Sequence, residues 1–142
     1  MSSGSRHMAR RGAVQALYRW ELTGELVVGA ADSFLNDWGL RGVDHEYFKE
    51  LVQGIPDSVE QLDDLLKQCL DRNLSSVDYI ERTILHLAVY ELQFCPDIPT
   101  NVVLDEAIEL ARAFGADQGY RFVNGVLDQC QLLCRNPELA SE

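Results

Sequence analysis

Apolar residues recur at steps of three and four along nearly the whole chain, and no stretch alternates residue by residue as a half-buried strand does. That periodicity restricts the chain to helices packed on helices, so the expected fold class is all-α. From Val77 the stripe continues through Ile80, Ile84, Leu85, Leu87, Ala88 and Leu92 and predicts a helix to about Phe94. Cys95-Pro96-Asp97-Ile98-Pro99 then breaks it, because proline has no N–H to donate and disfavours helix in the residue before it. A second helix begins near Thr100. Val103, Ala107, Leu110, Ala111 and Phe114 form its inner face, Asp105, Glu106 and Glu109 suit its positive N-terminal end, and Gly115 stops it. Asp117 is placed to cap a last helix, with Val123, Val126, Leu127, Cys130 and Leu133 inward, ending before Pro137.

The first half reads the same way. A helix from about Ala9 to Thr23 buries Ala13, Ala16, Leu17 and Trp20 and ends at Gly24. Shorter helices are expected over Asp32 to Trp38, Asp44 to Gly54, and Asp57 to Leu70, the last with Val59, Leu62, Leu65, Leu66 and Cys69 inward. The expectation is about seven helices in two packed halves, 9–72 and 76–135, divided at Asn73-Leu74-Ser75-Ser76 and followed by a tail over 136–142. At 142 residues the two halves share one domain. Residues 1–8 read either as a cloning remnant, since Ser/Gly runs ending in His-Met are common there, or as a native basic arm. Unbroken apolar runs are only a few residues long, as at Leu26-Val27-Val28, against the roughly 20 that a membrane span requires.

Charge is distributed unevenly. The net charge is −11, yet residues 1–19 contain Arg6, Arg10, Arg11 and Arg19 and no acid, while the remaining 8 basic residues face all 23 acidic ones. A basic head on an acidic body is a candidate anion site. On a regular helix Arg11, Gln15 and Tyr18 or Arg19 share one face, opposite Ala13, Leu17 and Trp20. Guanidinium suits phosphate, an amide reaches a base edge, and a tyrosine ring stacks on an unpaired base. The alternative is an ordinary solvated helix face. Gly115 to Gly125 offers a second candidate, a helix start whose free N–H groups and dipole favour an anion, with Arg121 in its first turn. Gly125 lies within that helix at a cost of roughly 1 kcal/mol relative to alanine, and is read as admitting a neighbouring helix, with Val123 and Val126 as packing.

Catalysis finds little support. The only histidines are His7, His45 and His86; His86 lies in an apolar helix, where an edge-of-core role is the plainer reading. Cys130 and Cys134 share a helix face and can be drawn into a metal site with His86, but two small apolar fillers explain them more simply. The cysteines, which also include Cys69 and Cys95, lack the paired spacing of zinc sites, and with no signal-peptide core the chain reads as a reduced cytoplasmic protein. Neither GxGxxG nor GxxxxGK[ST] is present. No cofactor and no metal are expected.

Three stretches stand out: Ala13-Val14-Gln15-Ala16-Leu17-Tyr18 with Trp20, Tyr47-Phe48 with Glu50-Leu51 and Gly54, and Leu87-Ala88-Val89-Tyr90-Glu91-Leu92. More specific are Asp105-Glu106-Ala107-Ile108-Glu109-Leu110-Ala111 and Phe122-Val123-Asn124-Gly125-Val126-Leu127-Asp128. Together these stretches resemble the NusB family of bacterial transcription antitermination factors. The resemblance covers about Arg6 to Asp128. It implies seven helices in two subdomains and no catalytic activity. It further implies binding of the boxA element of ribosomal-RNA leader transcripts together with NusE, a small-subunit ribosomal protein. The assembly includes NusA, NusG and RNA polymerase and supports rRNA synthesis and maturation. The family's arginine-rich motif falls on Arg6 to Arg10, where His7 and Met8 depart from it and Arg11 adds a base just after. The family's RNA contacts near the last helix map onto Gln118, Gly119, Tyr120, Arg121 and Phe122, and its NusE surface onto Asp78 and Glu81 at the acidic start of the fifth helix. The plainer role of those two acids is compensation of a helix dipole. Two other readings stay open: a NusB-like domain of an RNA cytosine methyltransferase, and a homodimer whose RNA face is covered.

Overall fold

The computed structural model describes residues 3–25 and 44–135. Among them are six α-helices and one short 3-10 turn. The helices are α1 (Ser3–Thr23), α2 (His45–Asp57), α3 (Val59–Cys69), α4 (Tyr79–Phe94), α5 (Thr100–Phe114) and α6 (Gly119–Arg135), with the turn at Leu74–Ser76. The helix expected over Asp32 to Trp38 lies outside the described residues. The helices form two compact units that meet between Asp57 and Ser58 rather than at residues 73–76. The reason is packing: α3 buries Leu62 and Leu66 and lies against α4 and α6, so it belongs with the helices that follow it.

In the first unit α1 packs on α2. Ala9, Ala13, Val14 and Leu17 are buried from α1, and Tyr47, Phe48, Leu51, Val52 and Ile55 from α2. Ala16 and Trp20, expected in that core, are only half-buried. α1 begins at Ser3, six residues earlier than the apolar stripe indicated, so Arg6 is part of a helix rather than of a loose arm. It ends where expected: Gly24 adopts φ +76°, a left-handed conformation that glycine takes without penalty, and donates its N–H to Trp20 O at 2.7 Å. Asp44 starts α2 by accepting the Tyr47 N–H at 3.0 Å. The helix runs three residues past Gly54, to Asp57, with Pro56 inside its last turn.

In the second unit α4 is surrounded. Every residue from Thr83 to Leu92 is buried, and α3, α5 and α6 all pack on it. Asp78 caps α4 by accepting the Ile80 N–H at 3.1 Å. His86, 2% exposed, meets Asp63 of α3 at 2.6 Å, which gives its ring a polar partner inside the core. At the far end the Arg135 guanidinium donates to the carbonyl oxygens of Leu92 (2.9 Å), Ile98 (2.6 Å), Glu91 (3.1 Å) and Cys95 (3.0 Å), and to Thr100 Oγ1 (3.2 Å). One side chain thus adds charged donors to the carbonyls at the end of α4 and holds the Pro96–Pro99 connection to α5. No described helix is long and apolar enough to cross a membrane.

Candidate nucleic-acid interface

The basic head is built around an aromatic ring. The Arg6 guanidinium lies 4.4 Å from the centre of the Tyr47 ring and that of Arg10 lies 5.6 Å from it, while Asp44 Oδ2 is 3.9 Å from Arg6 Nε. The faces of an aromatic ring are negative, so one tyrosine and one carboxylate compensate two arginines at the α1–α2 contact. Arg10 departs from the expected phosphate role, because it is 2% exposed and its charge is spent inside the unit. Arg6, Arg11, Gln15 and Tyr18 are half-buried and Arg19 is exposed, so the polar face expected on α1 is present. In the sequence Asp44 marked only a helix start and Tyr47 only the family resemblance, since neither carries a signal that an arginine will settle on it.

The second cluster surrounds the start of α6. Gln118 holds φ +69°, the turn closes through Gly119 N–H to Ala116 O at 3.0 Å and Arg121 N–H to Gln118 O at 3.1 Å, and Asp117 stays exposed. Gly119 is buried against Glu81 of α4, whose carboxylate occupies the space that a Cβ would need. The helix start expected to attract a phosphate through its backbone therefore already faces a carboxylate of its own chain. Partial burial, reinforced by Asp78 and opposed by Arg72, pushes Glu81 above the usual carboxylate range. Asp78 is exposed beyond its capping bond.

Side chains supply the positive charge instead. Tyr120 lies between Arg112, 4.5 Å from its ring centre, and Arg121, 5.8 Å away, with Arg121 Nε donating to the phenol oxygen at 3.3 Å. That hydrogen bond and the nearby positive charge hold the phenol below its ordinary value of 10.0. Arg72 stacks over Phe122 at 4.5 Å and pairs with Asp71 at 3.0 Å. Gln118 and Arg121 are exposed, and Tyr120 and Phe122 half-buried. The structure thus brings Gln118, Gly119, Tyr120, Arg121 and Phe122 to one end of the unit and adds Arg72 and Arg112. Sequence reasoning missed both, since Arg72 lies in an acidic turn and Arg112 reads as a routine cation in the last turn of α5. Gly125 is also reassigned: a Cβ there would meet nothing within 4 Å, so it admits no neighbouring helix, whereas Val123 and Val126 are buried as expected. It borders a cleft of about 290 Å³ lined with Cys69, Asp71, Arg121, Phe122 and Val126.

Stacked guanidiniums beside half-exposed aromatics are a chemistry suited to single-stranded RNA. The model of the NusB family matches residues 7–132. The chain belongs to the NusB family. It is 50% identical over 136 residues to the transcription antitermination protein NusB of Shewanella amazonensis, covering 96% of this chain and all of that one. NusB of Shewanella halifaxensis is 46% identical, with 96% and 99% covered. Among solved structures, NusB crystallised with NusE and double-stranded RNA superposes with a TM-score of 0.82 at 28% identity over 93% of this chain and 99% of that one. Thermotoga maritima NusB gives 0.76 at 28% identity, with 94% and 96% covered.

Proposed function

We propose that this protein is a non-catalytic transcription antitermination factor that binds boxA RNA of ribosomal-RNA leader transcripts together with NusE. The observation that carries the reading is the α6 cluster, in which Arg72, Arg112 and Arg121 stack on Phe122 and Tyr120 within a chain of net charge −11. Phosphates are assigned to Arg6, Arg11 and Arg121, with Arg72 and Arg112 added and Arg10 acting from beneath by holding Tyr47. Gln15, Tyr18 and Gln118 meet bases, and Tyr120 and Phe122 do so through the guanidinium planes that lie on them. Asp78 and Glu81 are assigned to NusE. In this reading Glu81 has a second effect, because a carboxylate beside Gly119 repels phosphate until a basic partner surface covers it. The acidic body restricts RNA to the two basic places. Within a complex that includes NusA, NusG and RNA polymerase, the protein supports rRNA synthesis and maturation in the cytoplasm.

The family name shared by relatives matched along their whole length supports this over a methyltransferase domain. Fluorescence anisotropy with labelled boxA RNA and a scrambled control, with and without NusE at fixed salt, tests it. Tighter binding of boxA when NusE is added is expected. Equal binding of both RNAs in both conditions overturns the reading, and sedimentation would then ask whether a homodimer covers the site.

A further inference from the structure

Gly125 has no structural reason to be glycine. It lies in the second turn of a 17-residue helix, where glycine costs roughly 1 kcal/mol relative to alanine, and it neither packs against a neighbour nor takes a positive φ. What it does is open a cleft. It is lined by Cys69, Asp71, Arg121, Phe122 and Val126, and the Arg72 guanidinium lies over the Phe122 ring. Any side chain at residue 125 would project into this space.

We infer that the cleft beside Gly125 receives one unpaired nucleobase of the bound RNA. This rests on the RNA-binding reading and names a subsite within it. The cleft's volume, about 290 Å³, stands at the lower end for small-molecule pockets, which suits one ring system rather than a whole dinucleotide. Its lining matches a base: the Phe122 ring for the base face, Cys69 and Val126 as apolar contacts, and the Arg121 guanidinium for the flanking phosphate. The Asp71 carboxylate accepts a hydrogen bond from an exocyclic amino group.

The test uses the full-length protein and Gly125→Ala and Gly125→Leu variants, with boxA RNA carrying 2-aminopurine at each position in turn. Because a Cβ at residue 125 would meet no neighbour within 4 Å, Gly125→Ala should fold and raise the unfolding midpoint in urea, and the circular dichroism of Gly125→Leu is matched to wild type before its binding is read. Expected are a graded loss of RNA affinity, between about fivefold and a hundredfold for leucine, the range for one lost stacked base, and one 2-aminopurine position whose emission changes with wild type but not with Gly125→Leu. RNA should also slow alkylation of Cys69, read by mass spectrometry, in the wild-type protein. Wild-type binding that persists unchanged in Gly125→Leu, with the same emission profile, overturns the pocket and leaves the RNA-binding reading standing. Failure of wild type to bind any RNA overturns that reading as well.

Discussion

Gln118 holds φ +69°, a region in which the side chain crowds the following carbonyl at a cost of about 1–2 kcal/mol. Gln118→Gly should therefore raise stability by about 1 kcal/mol in chemical denaturation, less whatever glycine adds to the freedom of the unfolded chain. The same substitution removes an amide assigned to RNA, so a gain in stability with weaker RNA binding would locate its role in recognition. Glu81 supplies a pH signature. Its folded pKa lies above the ordinary 4.5, so in that window the folded state binds more protons than the unfolded one, and stability falls as pH rises from about 4.5 through the raised value. Glu81→Gln should flatten this part of a plot of unfolding midpoint against pH. A profile with the wild-type slope would show that the carboxylate is solvated like any other.

At the scale of helices, Arg135 ties the end of α4 to the start of α5 through five acceptors. Arg135→Lys retains the charge but not the planar fork, and should cost about 2–4 kcal/mol in thermal unfolding, nearly as much as Arg135→Ala. The helices themselves were largely legible, because apolar spacing, Gly24, the proline pair at 96 and 99, and Gly115 encode periods and stops directly. Their starts were less so. No apolar stripe marks Ser3 to Met8 as helical, and the first turn of α6 is set by the φ of Gln118 and by the approach of Glu81 to Gly119, residues that are far apart in sequence and meet only in the folded unit. The grouping of α3 escaped for the same reason: an amphipathic stripe shows that a helix has an inner face but not which neighbour receives it. Gln118 to Phe122 were assigned to RNA through family resemblance. Arg72, Arg112 and the cleft at Gly125 were not, because stacking and empty space are properties of the fold.

For the whole molecule, the separation of a basic head from an acidic body makes salt the natural probe. Arg11→Ala should reduce the slope of log affinity against log salt by about 0.7, the value for one single-strand phosphate contact. Arg10→Ala should leave that slope unchanged and instead lower stability by about 1–2 kcal/mol, since Arg10 is buried on Tyr47. Equal slope changes in both variants would return Arg10 to the RNA. The Arg135 latch has a further consequence in time. Synthesis proceeds from the N-terminus, and the carbonyls it closes lie 37 to 44 residues upstream. While the chain is growing, the bend between α4 and α5 is held only by local backbone bonds such as Cys95 N–H to Glu91 O and Ile98 N–H to Cys95 O, and it gains its five-fold clasp only once the end of α6 has left the ribosome.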